Sequence, residues 1–171
     1  MKRIRLLAAT MTAVAMVAGC AIVNKLKDGV ADPMTPEEAK AQVIAAARDV
    51  VKTLQLKDVG ATFRYEACRD EGKPPYRGLA QIDYTHVPTY EGSQVEIAAF
   101  VDTLRLDGWS TDSGFASHAA SVTKDNIVTL LRPYAPNGSG GIEVRGECRD
   151  VTDHRGNQDT VDTPLPPNAL A

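Results

Sequence analysis

Cysteine placement constrains this chain more than any other feature. Cys68 and Cys148 stand about 80 residues apart, and the remaining cysteine, Cys20, closes an apolar leader. In that leader Lys2, Arg3 and Arg5 precede an apolar run from Leu6 to Val17, broken only by Thr10 and Thr12. Val17-Ala18-Gly19 then leads directly into Cys20. A positive start, an apolar stretch and small residues before a cut site are the layout of a secretory signal. An exported chain meets an oxidising compartment, where the even pair Cys68 and Cys148 reads as a disulfide. In the chain-entropy account, closing a loop of that length stabilises by roughly 4 kcal/mol. The alternatives are a metal or a reactive thiol. Neither finds support, because the chain has no C-x-x-C and no histidine beside either cysteine.

Val17-Ala18-Gly19-Cys20 resembles a lipobox, in which the signal is cut before the cysteine and the cysteine is acylated. Two acyl chains such as palmitate would anchor Cys20 stably, whereas one binds only marginally. Two other readings compete. Leu6 to Val23 is about long enough for an uncleaved membrane helix, and a cleaved soluble protein would leave the cysteine unexplained. Removal of residues 1–19 leaves 152 of the 171 residues, the size of one domain. The 19 basic residues fall to 16 without Lys2, Arg3 and Arg5, against 22 acidic ones, so the remainder carries a net charge of −6. That balance argues against nucleic acid as a partner and against electrostatic attraction to anionic lipid.

Residues 20–34 read as the lipidated cysteine and a tether, because Gly29 and Pro33 interrupt any period. Thr35-Pro36-Glu37-Glu38 supplies an N-cap, a first-turn proline and a capping box. Ala39, Val43, Ala47, Val50 and Leu54 follow at helical spacing, with Ile44 and Val51 widening the stripe, so a helix is predicted from about 36 to 55. Ala61 to Cys68 alternates as a strand, 69–78 is a loop by composition, and Leu79 to Val87 is a second strand. Ser93 and Glu96 repeat the capping-box pattern before Ile97, Phe100, Val101 and Leu104, and Gly108 stands where a C-cap glycine belongs. Ser117 to Thr123, Ile127 to Leu131 and Ile142 to Cys148 complete five strands, joined by turns at 124–126 and 136–141. Residues 150–171 have no hydrophobic period, contain Pro164, Pro166 and Pro167, and read as a disordered tail. The expected fold is α+β: a single domain over 35–149, in the order α-β-β-α-β-β-β, with both helices on one face of an antiparallel sheet.

This layout resembles LppA-type small lipoproteins of mycobacteria and related actinobacteria. The likeness rests on the lipobox, the leading amphipathic helix and one cysteine after it with another near the end. Asp107-Gly108-Trp109, the stretch from Ser113 to Ser117 and the Pro-rich tail add to it. Asp-Glu-Gly-Lys-Pro-Pro after the first cysteine departs from the pattern. The resemblance implies location and architecture and brings no activity with it.

Chemistry-bearing residues are sparse. His86, His118 and His154 are the three histidines, and no two share metal-ligand spacing on one element. Ser113 to Ser117 lacks the G-x-S-x-G elbow, and a triad from Ser117, His118 and an aspartate has no pattern behind it. The glycine-rich run 137–141 is followed by no helix, so it reads as a hairpin turn and not as a phosphate cradle. Asp150, Asp153 and Asp159 do not follow a calcium-loop pattern and read, with His154, as a solvated tail. Tyr76 and Tyr90 fall in loops flanking the first hairpin, where exposed rings could form a contact patch or simply cap the sheet edge. The expectation is a lipid-anchored, extracytoplasmic envelope protein that binds a partner or small ligand and is not an enzyme. It needs no cofactor and no metal. The competing expectation is a carrier enclosing an apolar molecule in a cavity.

Overall fold

Thr35 starts the fold as its sequence requires. Its Oγ1 accepts from Glu38 N at 3.2 Å while Glu38 Oε2 accepts from Thr35 N at 2.8 Å, closing the capping box. These hydrogen bonds also hold the Glu38 carboxyl below its ordinary range, first through the Thr35 backbone. From there helix α1 runs over Pro36–Leu54 and ends on Gln55 in the left-handed conformation. The computed structural model describes residues 29–112, 114, 117–134 and 140–171. Cys20 and its leader, Ser113, Phe115 and Ala116, and most of the turn at 136–141 lie outside them.

After α1 come strands β1 (Gly60–Ala67) and β2 (Tyr76–Asp83), helix α2 (Tyr90–Leu106), and strands β3 (Ala120–Lys124), β4 (Ile127–Arg132) and β5 (Gly141–Arg145). A short 3-10 turn, Gln158–Thr160, and strand β6 (Thr163–Pro164) follow. The described residues form one sheet in the order β3-β4-β5-β2-β1-β6, antiparallel at every pairing. The expected α+β architecture is present, with one strand more than the five read from sequence.

Both helices cover the same sheet face. Val43, Ala47, Val50 and Leu54 from α1 and Ile97 and Leu104 from α2 share a core with Ala80, Ile82, Val122, Leu131, Ile142 and Val144. Val101, expected in the buried stripe, is only half-buried at its edge. Gly78 lets α1 approach β2 closely, since a Cβ there would lie 2.7 Å from Ala39 O. Gly108, at φ +91°, turns the chain out of α2. Trp109 N then donates to Leu104 O at 3.0 Å and Gly108 N to Arg105 O at 3.1 Å, the paired bonds of a glycine C-cap. Trp109 packs at this exit, as expected.

Several boundaries move. The second strand starts at Tyr76, not Leu79, because Tyr76 pairs with Ala67 on one side and bridges Asp150 on the other. The second helix starts after Thr89, whose Oγ1 accepts from Gly92 N at 3.1 Å. Ser93 is therefore interior to the helix and buried, and its Oγ accepts from Tyr134 N at 2.5 Å. The third strand starts at Ala120, which leaves His118 exposed outside it. Asp125 and Asn126, both at positive φ, make the two-residue turn between β3 and β4.

The largest correction concerns residues 150–171, which are a folded strap and not a disordered tail. Asp150 pairs with Tyr76 and Met34, β6 pairs with β1, Leu165 N donates to Ala61 O at 2.8 Å, and Leu170 is buried in the core. Arg48 Nε donates to Ala169 O at 2.6 Å near the end. Backbone pairing and isolated anchors hold it, so no hydrophobic period is needed. The last part of the expected tether is also fixed: Val30 is buried and Met34 N donates to Arg149 O at 2.8 Å.

Candidate functional site

A buried polar arrangement is built around His154, where the strap crosses the end of β1 and the start of β2. His154 is 2% exposed and Asp150 is fully buried. His154 Nε2 lies 2.7 Å from Asp150 Oδ2, and Nδ1 lies 3.3 Å from Asp159 Oδ2. Asp150 Oδ1 accepts from Thr152 N at 2.8 Å. The imidazole stacks on Tyr65 with centroids 4.1 Å apart and meets the edge of Tyr76 at 4.9 Å. Strand alternation puts both tyrosines there: Ala67 is opposite Tyr76, and Tyr65 is two residues earlier on the same face. Tyr65 donates its hydroxyl to Pro36 O at 2.8 Å, and Tyr76 donates to Gly72 O.

The electrostatics follow from burial. The Tyr65 phenol is pushed up to about 12, first by desolvation and then by the carboxylates of Asp150, Glu37 and Asp159. Burial, the largest cause, also raises Tyr76. Next to the cluster, Asp153 is exposed and held down at about 2 by hydrogen bonds from Arg155.

Chemically this cluster is a fastener. A general base needs a ring nitrogen free to face the reacting group, and both nitrogens of His154 face carboxylates. No serine or cysteine touches the ring in these contacts. An imidazole set between two carboxylates ties three points of the strap together. Sequence reading missed it because Asp150, Asp153, His154 and Asp159 are individually the composition of a solvated segment. The available signal was the i, i+4 spacing of Asp150 and His154 directly after a bonded cysteine.

A second polar arrangement covers the sheet face opposite the helices. Arg77 Nη2 reaches Glu66 Oε2 at 2.6 Å, Arg145 Nη2 reaches Glu143 Oε2 at 2.8 Å, and Arg132 pairs with the same glutamate. Arg64 Nη1 extends the row to the strap through Asp162 Oδ1 at 2.7 Å. Mutual pairing across neighbouring strands accounts for these charges.

The other sequence candidates separate. Cys68 and Cys148 are bonded, with Cα atoms 6.0 Å apart, joining the end of β1 to the segment after β5. Tyr76 is 1% exposed and Tyr90 is 44% exposed, so the two do not form a shared exposed patch. His86 stacks on Tyr134 at 3.8 Å, while His118 and Ser117 are exposed. Asp150, Asp153 and Asp159 do not converge on a cation site: no group of three or more metal-ligating side chains occurs among the described residues. No helix among them is long and apolar enough to cross a membrane.

The clefts are surface features. One of about 320 Å³ lies between α1 and the β3–β4 turn and is lined by Gln42, Asp49, Trp109, Lys124 and Ile127. Lys124 is committed there, with Nζ 3.2 Å from Asp49 Oδ2 and 3.0 Å from Asp107 Oδ2. Its ammonium is raised above its ordinary range, chiefly by the hydrogen bond it donates to Asp107. Between helices and sheet, Val43, Ala47, Val50, Ile82, Leu104, Val122, Leu131, Ile142 and Val144 are fully buried against one another. That layer is packed side chain.

Fold and site together define a small, disulfide-stapled α+β domain whose buried polar cluster fastens its own C-terminal strap. The chain belongs to a family described as "Putative lipoprotein LppJ", whose pattern matches residues 35–165. It is 27% identical over 174 residues to the protein of that name from Mycobacterium tuberculosis, covering 94% of this chain and 91% of the relative. The Mycobacterium bovis protein of the same name is 26% identical over the same share. No solved structure matches. The resemblance read from sequence thus stands at the level of mycobacterial lipoproteins, with LppJ rather than an LppA type as the family matched. The family's description names no reaction.

Proposed function

We propose that this chain is a lipid-anchored envelope protein, cut before Cys20, acylated there, and displaying a non-enzymatic binding domain on the outer side of the cytoplasmic membrane. The observation that carries this reading is the leader ending in Val17-Ala18-Gly19-Cys20, joined to a domain of a family described as lipoproteins. Three features support a binding role. Both His154 nitrogens face carboxylates, Cys68 and Cys148 are bonded to each other, and Ser117 and His118 are exposed, the Ser117 hydroxyl accepting locally from Ala119 N at 3.1 Å. The disulfide suits an oxidising compartment. The partner is then a component of the envelope.

Mass spectrometry of protein extracted from the membrane fraction tests the anchor. The expected N-terminus is an acylated Cys20, and a Cys20→Ala variant should leave the membrane fraction or keep its leader. Mature protein with residues 1–19 attached, or with an unmodified Cys20 thiol, overturns the reading.

A further inference from the structure

We infer that the bilayer faces the disulfide corner of the domain, and that the opposite end of the sheet, carrying Val87 and Tyr90, points away from it. This rests on the reading that Cys20 is lipidated and adds how the domain is held.

The chain arriving from Cys20 is fixed well before α1 begins. Val30 is buried, Met34 N donates to Arg149 O at 2.8 Å, and Arg149 Nε donates to Asp32 O at 2.7 Å. Met34 also bridges Asp150, which in turn bridges Tyr76 at the start of β2. Arg149 adjoins Cys148, and Cys148 is bonded to Cys68 at the end of β1. The entry point is therefore welded to one end of the sheet. Only residues 21–28 separate it from Cys20, a span of roughly 30 Å at full extension.

From that corner β2 runs away toward Asp83, which is opposite Gly60 at the far end of β1. Its eight residues cover roughly 26 Å at strand rise. Residues 84–90 continue from the far end, where Val87 is 38% and Tyr90 44% exposed. Bringing that end to the membrane would require the tether to run nearly straight along the whole domain, which discards most of its conformations. A planar bilayer with Cys20 in its surface therefore keeps the corner near. Charge does not set this orientation: the corner loop offers Arg69 and Lys73 against Asp70 and Glu71, no net attraction for anionic lipid. The far end is then the one an envelope partner meets first.

Energy transfer to labelled headgroups tests this on the protein purified from the membrane fraction and reconstituted in phosphatidylcholine vesicles. A donor is placed through an unnatural amino acid at Lys73 or at Glu91, both exposed. Transfer should be at least about twofold higher from position 73, since the positions differ in height by about a strand length. Adding anionic lipid should not change the ratio. A flexible insert of about 20 residues after Asp28 should bring it close to one, because tether reach then exceeds the domain. Equal or reversed transfer overturns the orientation, as does a ratio that depends on anionic lipid or survives the insert. Mass measured on the same sample separates the two ideas. An acylated chain with equal transfer overturns the orientation alone, and an unacylated chain overturns the anchor as well.

Discussion

Beneath the helices, Val43, Val50, Ile97 and Leu104 meet Ile82, Val122 and Val144 in a largely apolar layer, with the Thr129 hydroxyl buried beside Val122 and Val144. Along β1 the strap is held to the same sheet by an imidazole, two carboxylates, backbone pairs and a few single anchors. The first attachment is non-directional and roughly proportional to buried area, so it degrades in proportion to what is removed. The second is directional and mutual: removing one member leaves another buried without its partner. Equal-looking substitutions should therefore have unequal effects in the two regions.

The sharpest test is His154→Ala. It leaves the Asp150 carboxylate buried without its imidazole, a defect of about 3–5 kcal/mol. Denaturant unfolding should show that loss, and protease should cut first between 150 and 171. A variant as stable as the parent would return the strap to a solvated tail and abolish the contrast. Next comes the bond that joins the two regions. Changing both Cys68 and Cys148 to Ser should cost roughly 2–5 kcal/mol and lower the melting temperature. An unchanged melting temperature would show that the strap and the entry segment need no staple. Within the apolar layer, Val50→Ala should cost about 1–3 kcal/mol, from lost transfer energy and a small cavity. Val101→Ala, at the half-buried edge, should cost visibly less. Equal losses at the two valines would contradict the graded behaviour expected of that layer.

The same contrast explains what the sequence disclosed. Helix α1 was legible from its N-cap onward because its signals are local and periodic: Thr35 with Glu38, then Ala39, Val43, Ala47, Val50 and Leu54. The disulfide was legible from cysteine parity and compartment. At α2 the sequence pattern pointed to Ser93 as the cap, whereas Thr89 caps the helix, and the buried contact of Ser93 with Tyr134, 41 residues away, carries no local mark. The strap was illegible for a related reason. Asp150, His154 and Asp159 acquire meaning only beside Tyr65 and Tyr76, which other strands bring in. Tyr76 itself read as a loop residue because its second partner, Asp150, lies across the disulfide.

Tyr65 stands where the two regions meet, its ring on His154 and its hydroxyl on Pro36 O at the start of α1. Its folded-state value of about 12 lies above the ordinary 10.0, which fixes the sign of a pH effect. Between those values the unfolded chain releases the phenolic proton while the folded chain keeps it, so the folded state binds more protons and stability falls as pH rises. The contribution is fully present below pH 10 and is lost on approach to 12. Ultraviolet titration of the folded protein should therefore show a late phenolate step that Tyr65→Phe removes. The variant should also flatten the decline of stability across that interval, while its loss at neutral pH reflects only the missing hydrogen bond to Pro36, about 0.5–1.5 kcal/mol. This is the smallest of the expected effects, and it tests the junction itself. If Tyr65→Phe leaves the alkaline decline unchanged, the phenol is not buried between strap and helix, and the two regions are joined at the disulfide alone.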